Sequence, residues 1–124
     1  MAVQIATAAV MTSAFAPLAD RSREACAILY LDAERRLVGS RHVAGSIDTV
    51  PLAVRTVAAD ALAFGAQSAV IAHNHPSGDA EPSAGDLAFT RALARGLDAL
   101  NVTLRDHVIL TRSTATSLRA RGVL

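Results

Sequence analysis

At 124 residues and 12.8 kDa, with 52% hydrophobic residues, the chain is the size of one domain and can bury a core without disulfides. Three Phe, one Tyr and no Trp disfavour a binding mode built on aromatic stacking against bases. Twelve basic residues, all arginine, against eleven acidic ones leave a formal net charge of +1, too balanced for the basic footprint of a general nucleic-acid binder.

Residues 1–20 are apolar and alanine-rich and are expected to form an N-terminal lead-in segment or helix, with residues 21–124 as the domain proper. A signal peptide is disfavoured, since no basic residue precedes Arg21 and Pro17 follows the small-residue site Ala14-Phe15-Ala16. No apolar run reaches the roughly 18 residues of a membrane span. The single Cys26 forms neither an intramolecular disulfide nor a multi-cysteine zinc cluster, so a cytoplasmic location without membrane attachment is expected. Inside an apolar run, Cys26 reads as a packing residue.

Residues 25–31, Ala-Cys-Ala-Ile-Leu-Tyr-Leu, are short and continuously apolar, as in a strand covered on both faces. A polar turn at residues 32–35 leads to a second, less buried strand at 36–43, and the pair reads as a hairpin. Asp48 can cap a helix whose Val50, Val54, Val57, Ala61 and Phe64 share one face, with Pro51 in its first turn and Gly65 as its stop. Residues 68–72 form the next strand, and the order strand, helix, strand predicts a crossover unit. A Pro- and Gly-containing loop at 75–82 precedes a helix over 83–97, then strands over 102–110 and 114–118. The fold class is therefore α/β, one domain with a mixed sheet flanked by helices.

The chemistry concentrates in residues 73–86. His73 and His75 are two residues apart, so a strand that persists to its end projects both rings from one face. On the helix opened by Ser83, Asp86 shares a face with Phe89, Leu93 and Leu97 at offsets of three, seven and eleven. An inward carboxylate must be paired or bind a cation. A capping arrangement, with Ser83 as N-cap and an acid in the first turn, accounts for the same residues and is compatible with a ligand role for Asp86. Two imidazoles and one carboxylate leave a fourth position open on tetrahedral zinc, the pattern of a hydrolytic rather than a closed structural site.

Such a site needs a group to manage protons. Glu24, at the start of the first strand, is the best-placed candidate, because the Pro-bounded loop is expected to hold Asp79 and Glu81 in solvent. His42 and His107 read as structural or exposed, although Asp106-His107 can orient groups behind a metal site. The chain has no H-E-x-x-H, no second cysteine for the zinc-deaminase pattern and no Gly-rich phosphate loop. The tripeptide His73-Asn74-His75 does not make a nuclease of the family named for those letters, whose three residues are dispersed.

Taken together, Glu24, His73-Asn74-His75, seven residues, Ser83, two residues and Asp86 resemble the JAMM motif of the JAB/MPN metalloenzyme group. The continuation His-Asn-His-Pro-Ser-Gly-Asp, with Arg23-Glu24, Leu31-Asp32, Asp106-His107 and the Arg-Gly-Val-Leu end, resembles the RadC-like JAB domain over residues 18–124. The resemblance implies a JAB/MPN, cytidine-deaminase-like architecture. It also implies Zn2+ on His73, His75 and Asp86, Glu24 as general acid/base and Ser83 on the oxyanion. It further implies hydrolysis of peptide or isopeptide bonds, hence a metalloprotease-like hydrolase with a peptide or isopeptide-linked substrate. Two departures stand out: there is no room for the helix-hairpin-helix region that relatives carry, and Pro51-Leu52-Ala53 replaces the Pro-Arg-Glu often seen in this branch. A second reading takes the chain as a DNA repair-associated transaction or interaction module without turnover. It would bind nucleic acid through Arg91, Arg95, Arg105, Arg112, Arg119 and Arg121. A homodimer paired through exposed strands is compatible with either reading.

Overall fold

Residues 22–45 and 54–124 are described by the computed structural model of the chain. Their elements, in chain order, are β1 (Ala25–Leu31), β2 (Leu37–Ala44), α1 (Val54–Phe64), β3 (Ser68–Asn74), α2 (Ala84–Asp98), β4 (Thr103–Leu110) and β5 (Ala115–Ser117). The strands form one mixed sheet in the order β2-β1-β3-β4-β5. β1 is antiparallel to both β2 and β3, β3 is parallel to β4, and β4 is antiparallel to β5.

The expected hairpin is present, and α1 carries the chain from β2 to β3. These two strands run in the same direction, but β1 lies between them. The adjacent parallel pair β3/β4 is joined through α2. The continuous apolar run in β1 has the expected cause, since all seven of its residues are buried. One face of the sheet packs Cys26, Ile28, Tyr30, Ala69 and Ile71 against Val57 and Ala61 of α1 and Leu93 and Leu97 of α2. The opposite face gathers Ala27, Leu29, Val70, Ala72, Val108 and Leu110. Both described helices thus cover the same face, and strand alternation decides which side chains meet them.

Several expectations are refined. β3 runs two residues further than residues 68–72, so His73 and Asn74 belong to the strand. Its pairing with β4 extends it, and His75 continues the ladder by donating its N–H to the Leu110 carbonyl at 2.8 Å. The last strand is shorter than residues 114–118: Thr111 and Thr114 are occupied in a turn closed by the Thr111 N–H on the Thr114 carbonyl. Phe64 is 41% exposed rather than part of the buried stripe. Its ring lies against Tyr30, centroids 5.3 Å apart, and over Gly39, where a Cβ would come within 2.6 Å of it. The expected cap at Asp48, the apolar Val50, Pro51-Leu52-Ala53 and the lead-in segment lie outside the described residues. Among the described residues no helix is long and apolar enough to cross a membrane.

Candidate metal centre

His73 stands in the buried last turn of pleat of β3, on the face toward the helices, and His75 follows one residue beyond the strand. Their Nε2 atoms are 2.8 Å apart. Asp86 is brought to them by the first turn of α2. Ser83 is its N-cap, with the Asp86 N–H donating to Ser83 Oγ at 3.0 Å and the Ser83 N–H donating to Asp86 Oδ2 at 2.9 Å. This reciprocal box fixes the start of the helix, and the same carboxylate reaches the histidines. Oδ1 is 3.4 Å from His73 Nε2 and Oδ2 is 3.3 Å from His75 Nε2. Capping and convergence on the imidazoles are thus two uses of one side chain.

These donors fit a cation. His75 Nδ1 lies 2.7 Å from the Asp79 carbonyl, which only accepts, so the ring carries its hydrogen on Nδ1 and presents a lone pair at Nε2. That lone pair faces the second imidazole nitrogen and a carboxylate in a site where His73 and Asp86 are almost wholly buried. One ligand atom from each of His73, His75 and Asp86 falls within 4.8 Å of the others. Burial by itself would raise the Asp86 carboxyl, but the close approach of the His73 ring and the hydrogen bond from the Ser83 N–H hold it well below the usual carboxylate range. It is a charged group available to a cation. Two nitrogens, one oxygen and an open side match the chemistry of a three-residue metal site.

The open side is a polar cleft of about 320 Å3 lined by Glu24, His75, Ser77, Asp79, Glu81, Pro82, Ser83 and Asp86. The structure therefore brings Glu24, 51 residues before His75 in sequence, to the same cleft as Ser83 and two of the three ligand candidates. Asp79 and Glu81 are exposed as expected, but they also line it. Glu81 is held by both terminal nitrogens of Arg121, at 2.6 and 2.8 Å.

Three supporting residues escaped the sequence reading. Asn74, between the two histidines, points the opposite way and is fully buried. Its Oδ1 accepts the Ala25 N–H at 2.6 Å and its Nδ2 donates to the Arg23 carbonyl at 2.9 Å, bracketing Glu24 from both sides. Alternation was the available signal, since a residue flanked by two inward histidines must find its own partners. Thr90, one turn after Asp86, is buried on the same face, a position that helical phase alone marks. Asp79 acts through its carbonyl, for which no side-chain pattern exists.

Of the pair Asp106-His107, only the histidine reaches the site. Its Nε2 lies 2.6 Å from His73 Nδ1, and burial pushes its ring down to about 3, so it is neutral. Asp106 instead accepts from Ser117 Oγ at 2.6 Å and from the Arg119 N–H at 3.1 Å. The cause is a register shift: Ala69 pairs with Leu104 but Val70 pairs with Asp106, so Arg105 is an extra residue and the next side chain toward the helices is His107. The second histidine outside the site, His42, is exposed on β2.

The arginines are dispersed among several surroundings. Arg91, Arg95 and Arg119 line a groove of about 380 Å3 with Asp98 and an apolar floor, Arg112 lines a smaller cleft beside His75, and Arg105 donates to Ser68.

The RadC-like JAB domain family matches residues 5–123. A UPF0758 protein of Ruegeria pomeroyi is 39% identical over 108 residues, covering 86% of this chain and 48% of the relative. One from Acidithiobacillus ferrooxidans is 41% identical over 108 residues with the same coverage, and one from Bordetella avium is 37% identical over 108 residues, again 86% and 48%. The chain spans about half the length of the curated relatives it matches.

Proposed function

The chain belongs to the RadC-like JAB domain family, and from that premise we propose that it is a zinc-dependent hydrolase of amide bonds, peptide or isopeptide. The observation that carries this reading is the convergence of His73, His75 and Asp86 beside a cleft that also holds Glu24 and Ser83. The N2O donor set with an open side favours zinc among divalent metals. Zinc in that position supplies Lewis acidity toward a carbonyl and toward water.

The chain's own residues do the rest. Glu24, half-buried at the cleft, takes a proton from the attacking water and returns it to the amine as the C–N bond breaks, so one carboxylate serves as base and then as acid. Ser83 is assigned to the carbonyl oxygen as negative charge develops there, a contribution that counts most when the donor is held in place beforehand. Its position on the N-cap of α2 supplies that rigidity. Asn74 fixes the backbone on either side of Glu24.

Zinc stoichiometry and hydrolysis test this together. The purified chain should take up stoichiometric zinc at neutral pH and lose it in His75→Ala and Asp86→Asn. Glu24→Gln should keep the metal and lose cleavage of peptide or isopeptide-linked substrates, by about 100-fold or more as for a general acid/base. A folded chain that takes up no zinc, or whose uptake survives both ligand changes, sinks the proposal.

A further inference from the structure

A line of contacts, buried from α2 as far as His73, runs across the helix-facing side of the sheet to the cleft. Thr90 Oγ is 2.7 Å from the Asp86 carbonyl oxygen and 2.6 Å from His107 Nδ1. His107 Nε2 is 2.6 Å from His73 Nδ1, His73 Nε2 is 2.8 Å from His75 Nε2, and His75 Nδ1 is 2.7 Å from the Asp79 carbonyl. Each of these contacts joins two electronegative atoms, so each needs a hydrogen or another cation between them.

With one hydrogen on each imidazole, the form in which a ring can offer a lone pair to a metal, one hydroxyl and three rings supply one hydrogen fewer than the line requires. The two ends locate the gap. The Thr90 hydroxyl donates to the Asp86 carbonyl, so its oxygen takes the Nδ1–H of His107. His107 Nε2 is then an acceptor, and it takes the Nδ1–H of His73. At the other end the Asp79 carbonyl takes the Nδ1–H of His75. The contact without a hydrogen is the one between the two Nε2 atoms, beside the Asp86 carboxylate.

We propose that His107 and Thr90 are positioning residues for metal uptake: they select the Nδ1–H form of His73 and so leave its Nε2 as a metal donor. Thr90 completes the device by tying His107 to the backbone of Asp86, so one helical turn carries a ligand and the brace of another ligand. Reversing the line would move the hydrogen of His73 to Nε2 and close the site to a metal. The inference rests on the metal-centre reading and goes beyond it by assigning two residues that touch neither metal nor substrate.

The test uses the full chain titrated with zinc alone, with imidazole 15N spectra of the zinc-loaded protein. Thr90→Val should weaken zinc binding by about 10- to 100-fold, the usual effect of removing a group that orients a metal-bound histidine, and Thr90→Ser should restore it. His107→Gln, whose amide oxygen can accept from His73, should bind zinc more tightly than His107→Phe. In the loaded parent His73 should carry its hydrogen on Nδ1. If His107→Phe fails to fold, the Thr90 pair decides, because a merely structural role would lower stability without changing zinc affinity or the His73 ring signal. Equal zinc affinity in parent and Thr90→Val, or a His73 hydrogen on Nε2 in the loaded parent, overturns the proposal and leaves the metal centre standing. A parent that takes up no zinc overturns both.

Discussion

Asn74 shows how much a single side chain can organise. Where the backbone pairing of β1 and β3 runs out, its amide takes over, accepting from Ala25 and donating to Arg23. Because it is fully buried, truncation leaves those backbone groups without the amide. Asn74→Ala should therefore cost about 1–3 kcal/mol, the penalty for a buried polar group left unpaired. Zinc uptake should persist, since the amide points away from the imidazoles. A denaturant midpoint unchanged from the parent would show that the bracket contributes nothing. At this scale the sequence was informative about identity and uninformative about partners. The imidazoles and the carboxylate were legible from spacing and helical phase, whereas Asn74, Thr90 and the Asp79 carbonyl act through hydrogen bonds that spacing does not encode.

Between elements, the same rule governs the far side of the fold. Tyr30 of β1 donates to Asp60 Oδ2 at 2.8 Å, and Arg41 of β2 grips the same carboxylate with Nε at 2.5 Å and a terminal nitrogen at 2.8 Å. Asp60 lies on α1, so three elements meet at one acid. The Arg41 hydrogen bonds, opposed by burial and helped by Tyr30, hold its carboxyl below the ordinary value of 3.8. A carboxyl depressed by folding contributes stability that is complete above its unfolded value and disappears as pH falls through the folded one. The stability gap between the parent and Asp60→Asn should thus be constant near neutral pH and shrink below about 3.8, measured as unfolding free energy against pH. A gap that widens toward acid would contradict it. Existence, type and order of the elements were legible from apolar periodicity, because β1 and β3 are buried on both faces and α2 on one. The extent of β3 was not, since its last residues are held by pairing with β4 rather than by their own pattern.

Across the whole molecule, the buried strands make the thiol a reporter of global unfolding. Cys26 is inaccessible in β1, and burial lifts its thiol to about 11. It should be silent to a thiol reagent at pH 8 in the folded chain and react once denaturant opens the sheet. Stoichiometric labelling of the native protein would refute that. The family and the candidate ligand set, by contrast, were within reach of the sequence, because donor type, the two-residue spacing of the histidines and the phase of Asp86 are local properties of one strand and one helix. The tertiary structure alone decided that His107 rather than Asp106 turns toward His73, and it is what brings the expected Glu24 into the same cleft as Ser83. Those outcomes follow from strand order, from the extra residue at Arg105 and from contacts across tens of residues, where the pairing of distant backbones sets the geometry.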